Sequence, residues 1–208
     1  MKGIFITMEG PDGAGKTTQI QRLKEHLQEK GYQVLLTREP GGTVISEAIR
    51  GLLLDPAHKE MKPSTELLLY AAARAQLVGE IIGPAVEAGK AVISDRFVDS
   101  SVVYQGIARG LGVETVYAVN RPAIGEYMPD VTFLLDLPAE VGIARKKNQA
   151  ELDRMEQESL DFHKKVAEGY RTLAARDPER IRTIDATLPI DTICDMIVGR
   201  VDKLLAGS

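Results

Sequence analysis

Short runs of consecutive apolar residues alternate along the chain with longer stretches in which apolar positions recur every three or four residues. Short runs at 3–8, 33–37, 91–94, 131–137 and 181–184 stand out, and several are apolar on successive positions, as in Phe133-Leu134-Leu135. That pattern predicts strands buried on both faces of a parallel sheet. Helical periodicity predicts helices near 17–29, 43–54, 64–87, 98–107, 160–176 and 190–205. In 43–54, Ile45, Ile49, Leu52 and Leu53 share one face, and Asp55-Pro56 ends the helix. Gly83-Pro84 is expected to kink or split the long helix over 64–87. The alternation predicts an α/β fold, an open parallel sheet of five strands with right-handed crossovers, flanked by helices. No repeat, low-complexity tract or linker breaks the pattern, so a single domain over 1–208 is expected.

One stretch does not fit that rhythm. "RKKNQAELDRMEQE" at 145–158 is almost wholly polar and lies between the fourth predicted strand and the helix near 160. It reads either as a solvated helical face with charge pairs one turn apart, or as a basic flap that closes over phosphates. Composition narrows the partners. A net charge of −4 leaves no broad basic footprint, so no nucleic-acid partner is expected and any anion site must be local. The single cysteine, Cys194, cannot form an internal disulfide and suits a reducing compartment. It falls in the helical pattern of Ile193, Ile197 and Val201, which makes it a packed thiol and not a nucleophile. The N-terminal apolar run is too short for a secretion signal and no run approaches membrane-spanning length, so a cytoplasmic protein without a membrane partner is expected.

Candidate chemistry begins where the first strand ends. "GPDGAGKTTQ" at 10–19 matches GxxxxGK[ST], between a predicted strand and a predicted helix. Gly10, Pro11, Asp12, Gly13, Ala14, Gly15, Lys16, Thr17 and Thr18 then form the cradle for the phosphates of a nucleotide. Glycines let successive N–H groups turn inward, and the following helix adds the positive end of its dipole. Lys16 can reach the β/γ-phosphates, and the Thr17 hydroxyl can ligate Mg2+. In open α/β sheets ligands lie beyond the carboxyl ends of the strands, so the segments after the second and third strands matter most. They are "TREPGGT" at 37–43 and "SDRFVDSSVVYQG" at 94–106. Asp95 can hold Mg2+ directly or through water, and Arg96 can clamp a phosphate other than the γ-phosphate. The alternative for that pair is a surface ion pair or helix cap. For Arg38-Glu39 it is a plain turn at Gly41-Gly42.

Two phosphate sites facing each other suggest phosphoryl transfer between nucleotides. At this point the chain resembles the thymidylate kinases, a family of nucleoside monophosphate kinases, almost end to end. The resemblance is carried by "EGPDGAGKTTQ" (9–19), "TREPGGT" with "IRGLLLD" (49–55), "LLLYAAARAQ" (67–76), "SDRFVDSSVVYQG" and "ELDRMEQES" (151–159), all in the family's order and spacing. It implies a P-loop nucleoside-monophosphate-kinase fold, transfer of the γ-phosphoryl group of ATP to dTMP with Mg2+, and a homodimer. It also implies that Arg96 binds the acceptor phosphate with help from Arg50, and that Asp12 lies near the acceptor's sugar hydroxyl, its phosphate and the metal. Tyr70 would stack on thymine, Arg74 would donate to a base carbonyl, and Gln105 would present its amide to the base edge. Tyr104 would exclude a ribose 2′-OH, and Arg38, Pro40, Ser100 and Ser101 would complete the acceptor site.

The lid, near 143–157, departs from the family pattern. Gly13 stands where one family variant carries a basic residue, so the chain resembles the variant whose catalytic arginine comes from the lid. Such lids read like "RARARG", whereas this one reads "RKKNQA" at 145–150. Arg145, Lys147 and Arg154 are the candidates for transition-state charge, Lys147 without bidentate geometry. No nucleophilic side chain is needed, and His26, His58 and His163 have no metal-ligand spacing. The rivals are a kinase for another monophosphate or for a deoxynucleoside, the latter needing Glu9 or Asp95 as base, a GTP switch, and a pseudo-kinase that binds nucleotide only as an interaction module, against which the full catalytic constellation speaks. The switch would show an NKxD motif, which is absent from any sensible place.

Overall fold

In the computed structural model, which describes residues 3–146 and 152–207, five strands pair in parallel in the order β2-β3-β1-β4-β5. They are β1 (Ile4–Glu9), β2 (Val34–Arg38), β3 (Ala91–Asp95), β4 (Val131–Asp136) and β5 (Ile181–Asp185). Four of them run one residue past the apolar run that predicts them, onto Glu9, Arg38, Asp95 and Asp185. Pairing of Asp95 with both Met8 and Arg38 sets the carboxyl ends of β1, β2 and β3 level. The charged residues that follow the apolar runs therefore meet along one sheet edge.

Burial on both faces explains the consecutive apolar residues. Phe133 and Leu135 point to the layer of α1 (Lys16–Glu29) and α9 (Ile190–Ala206), among Leu23, Leu27, Ile193 and Ile197. Leu134, between them, points to the other layer and packs with Tyr170 and Leu173 of α8 (Leu160–Arg176). That second layer also holds α2 (Val44–Leu54), α3 (Pro63–Leu77), α4 (Gly83–Glu87), α5 (Val98–Ser101) and α6 (Val113–Ile124). The eight-residue helix α7 (Ala139–Lys146) follows β4.

The long helix expected over 64–87 is split. Its middle widens into a π-helical turn, Val78–Ile82, directly before Gly83 and Pro84. Pro84 has no N–H for the carbonyl four residues back and its ring crowds that carbonyl, so the turn widens. The helix expected over 98–107 exists as α5 and a second π-helical turn, Val102–Ala108, closed by an Arg109 N–H to Tyr104 carbonyl bond of 2.9 Å. Helices α6 and α7 are additions to the expected set. Pro122 in the last turn of α6, and Gly110 and Gly112 before it, disguise a helix whose buried face is Val116, Asn120, Ala123 and Ile124. Among the described residues no helix is long and apolar enough to cross a membrane.

Candidate active site

The chain leaves β1 at Glu9 and enters α1 at Lys16 through the predicted phosphate loop. Gly15 caps α1 at φ 91°, a left-handed conformation that only glycine adopts without strain. The loop lies against α7 so closely that a Cβ on Gly142 would stand 2.4 Å from the Asp12 carbonyl oxygen. Lys16 Nζ donates to the carbonyls of Gly10 (3.1 Å) and Pro11 (3.2 Å) inside the loop. Burial, reinforced by the charge of Arg96, holds its ammonium down at about 8. Thr17 and Thr18 are exposed on the first turn of α1 and line a cleft of about 500 Å3. Across its floor lie Asp95 and Arg96 from the end of β3, Arg38 and Pro40 after β2, and Arg50 from α2.

Arg96 is firmly anchored on the side of the cleft nearest the phosphate loop. It is the one non-glycine residue with positive φ (72°) among the described residues. Its N–H donates to the Met8 carbonyl (2.9 Å), and its own carbonyl accepts from Ser94 Oγ (2.7 Å). The guanidinium donates to Asp12 Oδ1 (2.8 Å), Tyr170 OH (3.0 Å) and Ser100 Oγ (3.2 Å), and lies 5.3 Å from the centre of the Tyr104 ring. Beneath it Glu9 is fully buried. Glu9 Oε1 accepts the N–H groups of Phe97 (2.8 Å) and Ser100 (3.3 Å), and Oε2 accepts Ser100 Oγ (2.6 Å) and Tyr170 OH (2.8 Å). Burial and the nearby Asp99 push the Glu9 carboxyl up, while Arg96 and the hydroxyl bonds pull it down. Three of these four bonds come from the segment after Arg96 and the fourth from Tyr170 of α8, so Glu9 orients the loop that presents Arg96, and its carboxylate oxygens are already engaged.

The inner end of the cleft holds Tyr70, Arg74, Tyr104 and Gln105. Arg74 is 1% exposed and lies 5.4 Å from the centre of the Phe97 ring. It pairs with Glu39 through Nε (2.9 Å) and Nη2, with Asn120 through Nη1, and donates to the Phe97 carbonyl (3.2 Å) and Ser101 Oγ (3.1 Å). Burial pushes the Glu39 carboxyl up, and Arg74 pulls it back. Glu39 precedes a cis bond to Pro40, whose carbonyl accepts from Arg50 Nη1 (2.8 Å). Arg38, by contrast, turns to Glu47 of α2 (2.9 and 3.0 Å).

The three lid candidates have different placements. Arg145, at the end of α7, lines the cleft and donates to the Gly13 carbonyl (3.0 Å) of the phosphate loop. Arg154 is buried away from that loop: its Nε donates to the Leu53 carbonyl (2.7 Å) and its Nη2 lies 2.6 Å from Glu66 Oε2. Lys147 lies outside the described residues. Glu66 and Tyr170 carry weight at this site that the sequence did not announce, and Glu9, which the sequence offered only as a base for a rival reaction, does so as a buried support. For Glu9 the available signal was a charge ending a fully apolar strand; Tyr170 sits on an ordinary apolar helix face.

Comparison with known proteins shows what the whole chain is similar to. A family model described as "Thymidylate kinase" matches residues 8–197. The chain is 50% identical to a thymidylate kinase of Geobacillus sp. (strain WCH70), over all of both chains. It is 51% identical to one of Geobacillus thermodenitrificans (strain NG80-2), covering 100% of this chain and 93% of that one. The crystal structure of a thymidylate kinase from Ehrlichia chaffeensis superposes with a TM-score of 0.78 at 31% identity, covering 97% of this chain and 99% of the other.

Proposed function

The chain belongs to the thymidylate kinase family, and on that premise we propose how its residues divide the transfer of the γ-phosphoryl group of ATP to dTMP. The observation that carries the assignment is the position of Arg96: a guanidinium fixed by Asp12, Ser100 and Tyr170, in the same cleft as the phosphate loop. The loop N–H groups and Lys16 hold the donor phosphates, and Arg96 with Arg50 holds the acceptor phosphate. A phosphate oxygen of dTMP attacks the γ-phosphorus in line, the bond to the ADP oxygen breaks, and dTDP leaves. The transition state is loose and its charge lies on the equatorial oxygens, so positioning and fixed charge supply the catalysis. Arg145, already on the loop, is the lid charge that the geometry favours for that state.

Mg2+ fits the residues present. An exposed Thr17 hydroxyl and the Asp95 and Asp12 carboxylates are hard oxygen donors, and Mg2+ completes its shell with substrate phosphates and water, not an all-protein cage. When bound, it neutralises charge on the β- and γ-phosphates. In the inner pocket Tyr70 stacks on thymine, Arg74 and Gln105 meet its polar edge, and Tyr104 closes the space beside C2′. Arg38, Pro40, Ser100 and Ser101 line the passage between. We place the protein in the cytoplasm, which its single cysteine supports. We also propose a homodimer, supported by the exposed apolar side chains Val44, Ile45 and Leu52 on α2 and Leu68 on α3.

The test is ADP release from ATP and Mg2+ with dTMP, dUMP, dCMP, dGMP, AMP, UMP and thymidine as acceptors. The division above requires dTMP to lead by more than about tenfold in kcat/KM, with no turnover of thymidine. A faster purine monophosphate would overturn the pocket assignment, and turnover of thymidine the phosphate assignment.

A further inference from the structure

Glu66 lies in the first turn of α3 with 1% of its side chain exposed. Three groups converge on its carboxylate. Gln105 Nε2 donates to Oε1 (2.9 Å); Arg109 donates to Oε1 (3.1 Å) and Oε2 (3.1 Å); Arg154 Nη2 stands 2.6 Å from Oε2. Burial favours the neutral acid, but the bonds from Arg109 and Gln105 outweigh it and hold the carboxyl below its usual range, so Glu66 is an anion at neutral pH. An ionised carboxylate only accepts hydrogen bonds. It therefore dictates which end of the Gln105 amide faces it, because a flipped amide would set oxygen against oxygen. Among the described residues nothing donates to Gln105 Oε1, and that oxygen is not sealed from solvent. Since Gln105 lines the cleft, its carbonyl is the amide end left for a ligand.

We propose that Glu66 is a positioning residue for acceptor specificity, locking the Gln105 amide so that it offers the cleft a carbonyl oxygen and not an N–H group. The inference rests on the reading of Gln105 as a base contact. A fixed acceptor at that place takes the N3–H of thymine or uracil. Cytosine has a bare N3 acceptor there and meets it oxygen to lone pair. Glu66 thus rejects cytosine without touching the base. The same carboxylate anchors Arg154, whose N–H and Nε are bonded to the carbonyls of Leu54 (3.0 Å) and Leu53 (2.7 Å). The C-terminal part of the lid segment, at Arg154, is accordingly tied to the residue that orients Gln105.

The test compares kcat and KM for dTMP and dCMP in the wild type, Glu66→Gln and Gln105→Leu. Glu66→Gln keeps the shape but offers both a donor and an acceptor, so the Gln105 amide is free to turn. The expected result is a dTMP KM raised about tenfold, a smaller change in kcat, and a dTMP-to-dCMP ratio in kcat/KM reduced at least fivefold. A loosened Arg154 alone would slow both acceptors equally and leave that ratio unmoved. Glu66→Asp keeps the negative charge among the arginines but draws the carboxylate back by one methylene, out of reach of the Gln105 amide. It carries the same prediction where Glu66→Gln does not fold. Gln105→Leu separates the two layers of the argument. If it leaves the dTMP KM unchanged, Gln105 is no base contact and the positioning role falls with it. If it raises the KM while both Glu66 variants keep the wild-type ratio, the base contact stands and the proposal about Glu66 is overturned.

Discussion

At the scale of single residues, the site consists of charges placed where burial makes them costly unless something satisfies them. Lys16 is the clearest case. Its ammonium is held down at about 8 in the ligand-free protein, so it loses its proton as the pH rises through that value. The charged form is the one that binds phosphate. We therefore expect kcat/KM for ATP to fall above about pH 8, by up to about tenfold per unit, with kcat at saturating ATP falling later. A profile flat to pH 9.5 would remove Lys16 from that role. Glu9 offers a second case. Glu9→Gln replaces one acceptor oxygen by a donor that cannot take the N–H of Phe97 or the hydroxyls of Ser100 and Tyr170. It should cost about 1–3 kcal/mol of stability in denaturant titrations. With the Phe97–Ser100 loop released, the dTMP KM should rise more than the ATP KM. The residues proposed to bind phosphate stand out in the sequence because their spacing is rigid: a loop that wraps phosphates tolerates few residue types at Gly15, Lys16 and Thr17. The supports were not. Glu66 and Tyr170 act through contacts 39 and 70 positions away in sequence, with Gln105 and Ser100 respectively, and no local pattern records such distances.

At the scale of elements, the same contrast recurs. All five strands were legible: β1, β3 and β4 because burial on both faces leaves a nearly continuous apolar run, and the edge strands β2 and β5 because shorter apolar stretches recur in the same strand–helix rhythm. The π-helical turn that carries Tyr104 and Gln105 was not, since its period differs from 3.6 by less than one helical turn can resolve. Helix α7 was hidden because its role is contact with the phosphate loop and not burial of an apolar face. Its fit there depends on Gly142. A Cβ at that position would stand 2.4 Å from the Asp12 carbonyl oxygen, and backbone must move to admit it. We expect Gly142→Ala to lower stability by about 1–3 kcal/mol and to raise the ATP KM, through the displaced loop and through Arg145, whose bond to the Gly13 carbonyl depends on the same contact. Unchanged melting temperature and ATP KM would show that α7 does not set the loop.

At the scale of the whole molecule, the parallel sheet explains why the residues proposed for donor and acceptor share one cleft. Residues from the ends of β1, β2 and β3 are far apart in sequence and level in space. The outward face of α2 is the remaining feature of this size. Val44 is 87% exposed and Ile45 54%, more than an apolar residue on a monomer's helix would be expected to show in company with Leu52 and Leu68. Sedimentation of the wild type should give the mass of two chains, and Ile45→Asp should shift it toward one. A wild-type monomer at micromolar concentration would dismiss the proposed dimer.

The central claim is that the phosphate loop holds the donor and the Arg96 cluster holds the acceptor. Calorimetric titration of Lys16→Ala and Arg96→Ala with dTMP and with ATP and Mg2+ tests it most directly. The account predicts a crossed pattern: Arg96→Ala weakens dTMP by more than about thirtyfold, as loss of a partly buried charge pair should, and leaves ATP within a few-fold, while Lys16→Ala does the reverse. Equal losses of both ligands in either variant, or normal dTMP binding without Arg96, would contradict it.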